Sequence, residues 1–247
     1  MNPSQSLLAV NGLSKRFGGF VVLDDVSFVV NAGERLGLIG PNGSGKSTTV
    51  NCLSGVIAHD AGSIQFDGEL IDGLKPHRRV YRGLARSFQI PRPFSRLSVF
   101  ENIRVPLLFA AEHRVQRYLD RNEINAMAEL ALEQVGLLAR AKDIASSLTQ
   151  IDLRKLELAR AIAAQPKLLI ADESMAGLAS SESDEILSLL FELNRKGIAI
   201  VMIEHIMRTV KAFSERLVVL ANGRKIADGP TDAILRDPLV ERIYLGV

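Results

Sequence analysis

Two stretches of this sequence carry residue types and spacings that can do chemistry. The first is Gly40-Pro41-Asn42-Gly43-Ser44-Gly45-Lys46-Ser47-Thr48. It fits the pattern G-x-x-x-x-G-K-S/T and lies between Leu36-Gly37-Leu38-Ile39 and Thr49-Val50-Asn51-Cys52-Leu53. The apolar run is expected to be a short buried strand and the later run a helix, the context that a phosphate-binding loop requires. A polyphosphate needs many N–H donors converging on it, so the backbone must curl closely around it. Gly43 and Gly45 permit that curl because they have no Cβ. The helix starting near Gly45 would point its first N–H groups and its positive dipole end at the β-phosphate. Lys46 can reach the β- and γ-phosphates, and the Ser47 hydroxyl can ligate Mg²⁺. The second stretch is Asp172-Glu173, directly after the apolar run Leu168-Leu169-Ile170-Ala171. Nucleotide sites on parallel sheets form at the carboxyl ends of strands. An Asp there can hold Mg²⁺ through water, and a Glu beside it can polarise an attacking water.

The elements that must position these residues follow from patterning. Residues 7–34 contain two short β-like runs, Leu8-Ala9-Val10 and Val26-Ser27-Phe28-Val29-Val30, with turn material at Phe17-Gly18-Gly19 and at Asp24-Asp25. Residues 62–71 are expected to form a hairpin turning at Asp67-Gly68. Pro76 to Gly83 is basic and expected to be a short helix, followed by a strand from Leu84 to Gln89 that Pro91 and Pro93 break. Ser98 and Glu101 form a capping-box pattern at a helix start, and Pro106 is placed to kink or end that helix. Ile124, Met127, Ala128, Ala131, Leu132 and Val135 recur on one helical face that Gly136 stops, with Met127 expected to fill core. A further helix is expected from Asp152 to Ala164. Beyond it, strands 168–171, 198–203 and 217–220 alternate with helices 180–194 and 206–212, and Asn222-Gly223 turns the last strand into Lys225-Ile226-Ala227. Buried strands alternating with helices imply a parallel sheet covered on both faces.

Composition narrows the classes. The chain has 247 residues, 47% hydrophobic and 23% charged, with net charge +2. That is globular, and the charge is too small to argue for nucleic acid. One cysteine, Cys52, excludes an intrachain disulfide and a cysteine metal cluster, and its place on the apolar side of the first helix suits a small core residue. Met1 to Ser6 shows no secretory pattern, and no apolar run approaches the roughly 20 residues that span a bilayer. A cytosolic chain that meets a membrane only through partners is expected.

With the landmarks in this order, the sequence resembles an ATP-binding cassette subunit of a membrane transporter over essentially its whole length. The resemblance implies an α/β fold: a P-loop NTPase (RecA-like) core with a parallel sheet flanked by helices, an N-terminal antiparallel β subdomain and an α-helical insert. It implies a single domain over 1–247, with the core at 1–83 and 167–247 and the insert at 84–166. Gln89 would be the mobile-loop glutamine reaching Mg²⁺ and the attacking water. Asp172 would support the metal, Glu173 would be the general base, and His205 the switch histidine at the γ-phosphate. Phe17 takes the place of an aromatic that stacks on adenine. ATP and Mg²⁺ are the implied ligands. Ile203-Glu204-His205, Asp228-Gly229-Pro230-Thr231, Tyr244-Leu245-Gly246, Phe88-Gln89 with Pro93-Phe94, and Asn51-Cys52-Leu53-Ser54-Gly55 resemble the subfamily that energises branched-chain amino-acid uptake. Its relatives move urea, short amides and aromatic acids. Implied partners are two transmembrane permease subunits, a second ATPase subunit and a solute-binding protein, at the cytoplasmic face of the inner membrane.

The sequence departs from the family where a signature close to L-S-G-G-Q is expected: it reads Leu148-Thr149-Gln150-Ile151-Asp152. In the family this segment contacts the γ-phosphate held by the other subunit. Thr149 keeps a hydroxyl. Ile151 cannot reproduce a glycine's close approach, and Asp152 brings a negative charge to a negative ligand. Losing one well-placed donor at a reacting phosphate weakens transition-state stabilisation by roughly 3 kcal/mol. Thr149 and Asp152 also suit a helix cap. Ser174 stands where Pro is common, Ala179 where a polar residue is common, and Ile206 where many relatives have an acid. An asymmetric heterodimer follows as the expectation. A soluble cassette protein acting as scaffold or assembly factor is the alternative. A nucleic-acid-linked ATPase is disfavoured by the near-zero charge and the lack of a coiled-coil insertion or second cassette.

Overall fold

The computed structural model describes residues 6–111 and 119–245. In chain order the first elements are β1 (Leu8–Phe17), β2 (Phe20–Val30), β3 (Arg35–Ile39), α1 (Lys46–Leu53), β4 (Ala61–Phe66) and β5 (Glu69–Leu70). Next come α2 (Pro76–Arg82), β6 (Leu84–Ser87), α3 (Val99–Pro106), α4 (Arg121–Gln134), α5 (Gln150–Ala163), β7 (Leu168–Asp172) and α6 (Ser180–Arg195). The last are β8 (Ala199–Ile203), α7 (Met207–Phe213), β9 (Arg216–Ala221), β10 (Arg224–Pro230), α8 (Thr231–Ile234) and α9 (Pro238–Leu245). No helix among the described residues is long and apolar enough to cross a membrane. The chain divides into two compact units, 1–76 with 197–247, and 77–196.

The first unit holds an antiparallel sheet in the order β2-β1-β4-β5. Its register runs from Leu8↔Val30 to Phe17↔Phe20, so β1 and β2 form one long hairpin. Two short runs joined by turn material were expected here. Asp24-Asp25 instead lies inside β2, where Asp25 takes a left-handed φ of 56° and the pairing register shifts. A bulge needs the same short polar residues as a turn, and the sequence pattern does not separate the two. In the same unit β3 pairs in parallel with β8 on one side and β9 on the other, and β9 pairs antiparallel with β10. All five residues of β8 are buried, as a strand covered on both faces requires. A cluster of Ile39, Val210, Leu217, Val219, Ile234 and Val240 packs against this group of strands. Cys52 is fully buried in α1. Asp228-Gly229-Pro230 completes β10 along β9; Gly246 lies outside the described residues.

The second unit is built on the parallel pair β6–β7, in register from Leu84↔Leu168 to Ser87↔Ala171. Helices α2, α3, α4, α5 and α6 complete it. Ser98 and Glu101 form the expected capping box on α3, and Asp120 and Glu123 form another on α4 that the sequence reading missed. Past Pro106 the chain continues as a π-turn over Leu107–Ala111, the local rearrangement that a proline without an N–H induces. Ile124, Ala128, Ala131 and Leu132 are buried on α4 as the periodicity requires. Met127 is the exception to its expected core role: it is half-buried and lines a shallow apolar cavity of about 180 Å³ with Leu107, Leu130 and Ile162.

One charge cluster ties the first unit together. Arg216 on β9 makes a bidentate pair with Asp228 on β10, at 2.7 and 3.1 Å, and also bonds Glu34 at 2.8 Å and the Val29 carbonyl at 3.1 Å. Burial pushes the Asp228 carboxyl up, but hydrogen bonds from Arg216 and Lys225 outweigh it and hold the group below its ordinary range. Such a group favours the fold above its unfolded pKa, and that contribution disappears as pH falls through the lower folded value. Arg216→Met should lower stability at pH 7 by about 2 kcal/mol, measured as a shift in urea midpoint. The gap between wild type and variant should close as pH drops below about 4.

Candidate functional site

The phosphate-type loop leaves the carboxyl end of β3 and enters α1. Gly45 caps α1 with φ 103° and offers no side-chain acceptor, and the first turn carries no acid. By contrast α3, α4 and α5 are closed by Ser98, Asp120 and Thr149 side chains. The α1 terminus therefore keeps the donor-rich, positive end that an anion needs. Steric walls explain the glycines. A Cβ on Gly40 would lie 2.2 Å from the Leu220 carbonyl oxygen, and one on Gly45 would lie 2.6 Å from Leu23 Cδ2 and 3.1 Å from the Val22 carbonyl oxygen. A Cβ on Gly43 would meet open space, although its φ of 79° still favours glycine.

Lys46 is nearly buried, and its Nζ donates to the Gly40 and Pro41 carbonyls at 2.7 and 3.0 Å. The ammonium thus lies folded over its own loop. Ser44 is buried, and its Oγ has no hydrogen-bond partner among the described residues. Ser47 is exposed, while Pro41 and Thr48 are half-buried and Asn42 and Gly43 exposed. The loop is braced from behind: Gly223 N–H donates to the Ser44 carbonyl, and the Gly223 carbonyl accepts from Asp24 N–H. The sequence pattern marks Asn222-Gly223 as a turn, but not its bracing of the loop. Together these features fit a polyphosphate: a glycine cradle, a lysine at its mouth, an uncapped helix start and an exposed hydroxyl for a metal.

His205 follows β8, the strand beside β3, so it leaves the same edge as the loop; it is exposed, while Glu204 is buried. Phe17 ends β1 at 47% exposure, with Lys15 Nζ 5.4 Å from its ring centroid. A half-exposed ring is available for stacking, whereas a core aromatic would be covered.

The second unit repeats the arrangement on β6 and β7. Gln89 follows β6, and Asp172-Glu173 ends β7. Gln89 Nε2 donates to a Glu173 carboxylate oxygen. Glu173 takes a left-handed φ of 47°, uncommon for a residue with a Cβ and a mark of a constrained site. Asp172 is buried and paired with Arg86 at 2.7 Å. Ser174 is buried, its hydroxyl 3.2 Å from that of Ser87. Among the described residues no group of three or more His, Cys, Asp or Glu forms a metal cage. The exposed Ser47 hydroxyl is a hard oxygen donor of the kind Mg²⁺ takes, with phosphates and water completing its shell.

Thr149 is the N-cap of α5. Its hydroxyl accepts from Asp152 N–H at 3.3 Å and donates to the Asp152 carboxylate at 2.8 Å. The same carboxylate is paired with Arg140 at 2.5 Å, and Arg140 bonds Asp143 at 2.8 Å. Beyond that cap lie residues the sequence reading missed. Arg154 donates to the carbonyls of Phe88, Gln89 and Ala176, and Arg160 donates to the Arg92 carbonyl at 2.7 Å. Burial pushes the Glu157 carboxyl above its ordinary range, against the pull of Arg160 and of the Arg92 and Phe88 N–H groups.

The family model described as ABC transporter matches residues 23–176. The chain is 38% identical to the high-affinity branched-chain amino acid transport ATP-binding protein LivG of Salmonella typhimurium, over 98% of this chain and 99% of that one. It is 35% identical to the lipopolysaccharide export system ATP-binding protein LptB of Escherichia coli, over 97% of each chain. Among solved structures, the ADP conformation of an ATP-binding cassette of an ABC transporter matches with a TM-score of 0.87 and 31% identity, covering 98% of this chain and all of that one.

Gly43 and Gly45 should respond differently to alanine. Both substitutions carry a backbone cost of roughly 1–2 kcal/mol. Gly45→Ala also drives a methyl into Leu23 and should lose more melting temperature than Gly43→Ala. It should weaken nucleotide affinity at least about tenfold, a change near 1.4 kcal/mol, in a fluorescent-nucleotide titration.

Proposed function

The chain belongs to the ABC transporter family of ATPases, and from that premise we propose that it energises an importer of branched-chain amino acids or a related small polar solute such as urea or an amide. The supporting observation is the end-to-end match with an uptake ATPase, over 98% of this chain, in a sequence whose phosphate cradle has all its parts. The chain would act at the cytoplasmic face of the inner membrane, against two permease subunits, with a solute-binding protein completing the system.

In this reading the Gly40–Thr48 loop and the α1 terminus bind the phosphates of ATP. Lys46 exchanges its two loop carbonyls for the β- and γ-phosphate oxygens, and Phe17 stacks on adenine. Ser47, with Asp172 and Gln89 in support, would hold Mg²⁺, which neutralises charge on the phosphates when bound. Glu173 takes a proton from the attacking water, and the Gln89 amide fixes the orientation of its carboxylate. His205 donates toward the γ-phosphate oxygens as their charge grows.

The partner ATPase is proposed to be a different chain. Thr149 and Asp152 satisfy each other, and Arg140 neutralises the carboxylate. The start of α5 therefore offers little to a γ-phosphate in another subunit, whereas an intact signature from a different chain would complete the site built on Glu173. In the reconstituted complex Glu173→Gln should cut ATP turnover by about 100-fold or more, the scale of a lost general base. Changing the partner's corresponding base should cost far less. Near-normal turnover with Glu173→Gln and a dead partner variant would reverse the assignment.

A further inference from the structure

The backbone that carries Gln89 is held from one side by a single helix. Arg154, Glu157 and Arg160 recur every three residues along α5 and are turned to the same segment, residues 88–92. Glu157 accepts from the N–H groups of Phe88 and Arg92, the latter at 3.4 Å. Arg160 donates to the Arg92 carbonyl and lies 5.0 Å from the Phe94 ring centroid. Arg154 reaches further. Its Nη1 donates to the Phe88 and Gln89 carbonyls, and its Nη2 donates at 2.9 Å to the carbonyl of Ala176, three residues after Glu173.

We infer that Arg154 is a positioning residue for hydrolysis, clamping the Gln89 segment to the segment after Glu173 so that the Gln89 amide meets the Glu173 carboxylate. The inference rests on the ATPase reading above. Its physical basis is that both segments are short connections after strand ends, and neither is regular structure. Each would sample several backbone states if left alone, and an amide-to-carboxylate contact survives only when both are fixed in the same frame. A planar guanidinium with a fixed fork of donors can bridge carbonyls on two segments at once. Arg154 is buried, so its donors act where water competes little. It touches no reacting atom, and its effect passes through the orientation of Gln89 and Glu173.

The test uses the complete transporter in lipid. Arg154→Met keeps the aliphatic stem and removes every guanidinium donor. It should lower kcat at least about tenfold while KM for MgATP stays within about twofold, because the phosphate cradle is untouched. Arg154→Lys should recover only part of the loss, since an ammonium reaches one or two carbonyls but does not span both segments. Hydrogen exchange should quicken together at residues 88–92 and 174–178 in the methionine variant. The inference is overturned by a kcat within about twofold of wild type. It is equally overturned if kcat and KM worsen together with a lowered melting temperature. If Arg154→Met does not assemble, full activity of Arg154→Lys overturns it and a partial loss at unchanged KM supports it. A wild-type complex with no Lys46-dependent turnover would overturn the ATPase reading and this inference together. Normal Lys46-dependent turnover with indifferent Arg154 variants would remove this inference alone.

Discussion

The molecule depends on one steric constraint: at Gly40 and Gly45 of the phosphate-type loop the walls are so close that the backbone tolerates no side chain. The carbonyl of Leu220 blocks any Cβ on Gly40, and Leu23 and Val22 block one on Gly45. Those walls are the ends of β9 and β2, so the cradle's shape is set by the register of two different sheets. The Asn222-Gly223 turn closes the arrangement by bonding both Ser44 and Asp24. Charge alone would not assemble such a site. A lysine near a glycine-rich turn binds anions weakly unless the N–H groups are already aligned, and alignment is what the packed strands supply.

The same design appears in each compact unit. A parallel strand pair presents its carboxyl ends, and the candidate site residues lie just beyond. On β3 and β8 these are the phosphate loop and His205; on β6 and β7 they are Gln89 and the Asp172-Glu173 pair. Side chains at strand ends inherit the rigidity of the sheet, while their connections stay free of its hydrogen-bond ladder. The left-handed φ of Glu173 fits this placement, since a constrained backbone persists only where the surroundings determine it.

Much of this was legible in the sequence. The phosphate loop, the strand ending at Asp172 and the capped start of α3 each carry a local signature strong enough to survive folding. What escaped was set by distant contacts. Asp24-Asp25 has the composition of a turn, but its partner strand makes it a bulge. Arg154 and Arg216 stand among other charged residues, where nothing in their spacing distinguishes a guanidinium bonded within the fold from a solvated one. Their carbonyl and carboxylate partners lie 12 to 187 positions away along the chain. Met127 belongs to an apolar stripe, and the stripe does not say which of its members the neighbouring helices fail to cover.

Helix α5 carries two separate arrangements about one turn apart. Its first turn is a closed circuit in which the Thr149 hydroxyl, the Asp152 N–H and carboxylate, and Arg140 satisfy one another. That turn is stable without an external anion, and the added carboxylate opposes one. The next turns face inward, where Arg154, Glu157 and Arg160 hold the Gln89 segment. With Ile151 and Asp152 in its first turn the helix is still capped by Thr149, so the inward residues keep their register. The physical separation is about one helical turn, roughly 5 Å. A change in the first turn of α5 thus need not disturb the residues that hold the Gln89 segment.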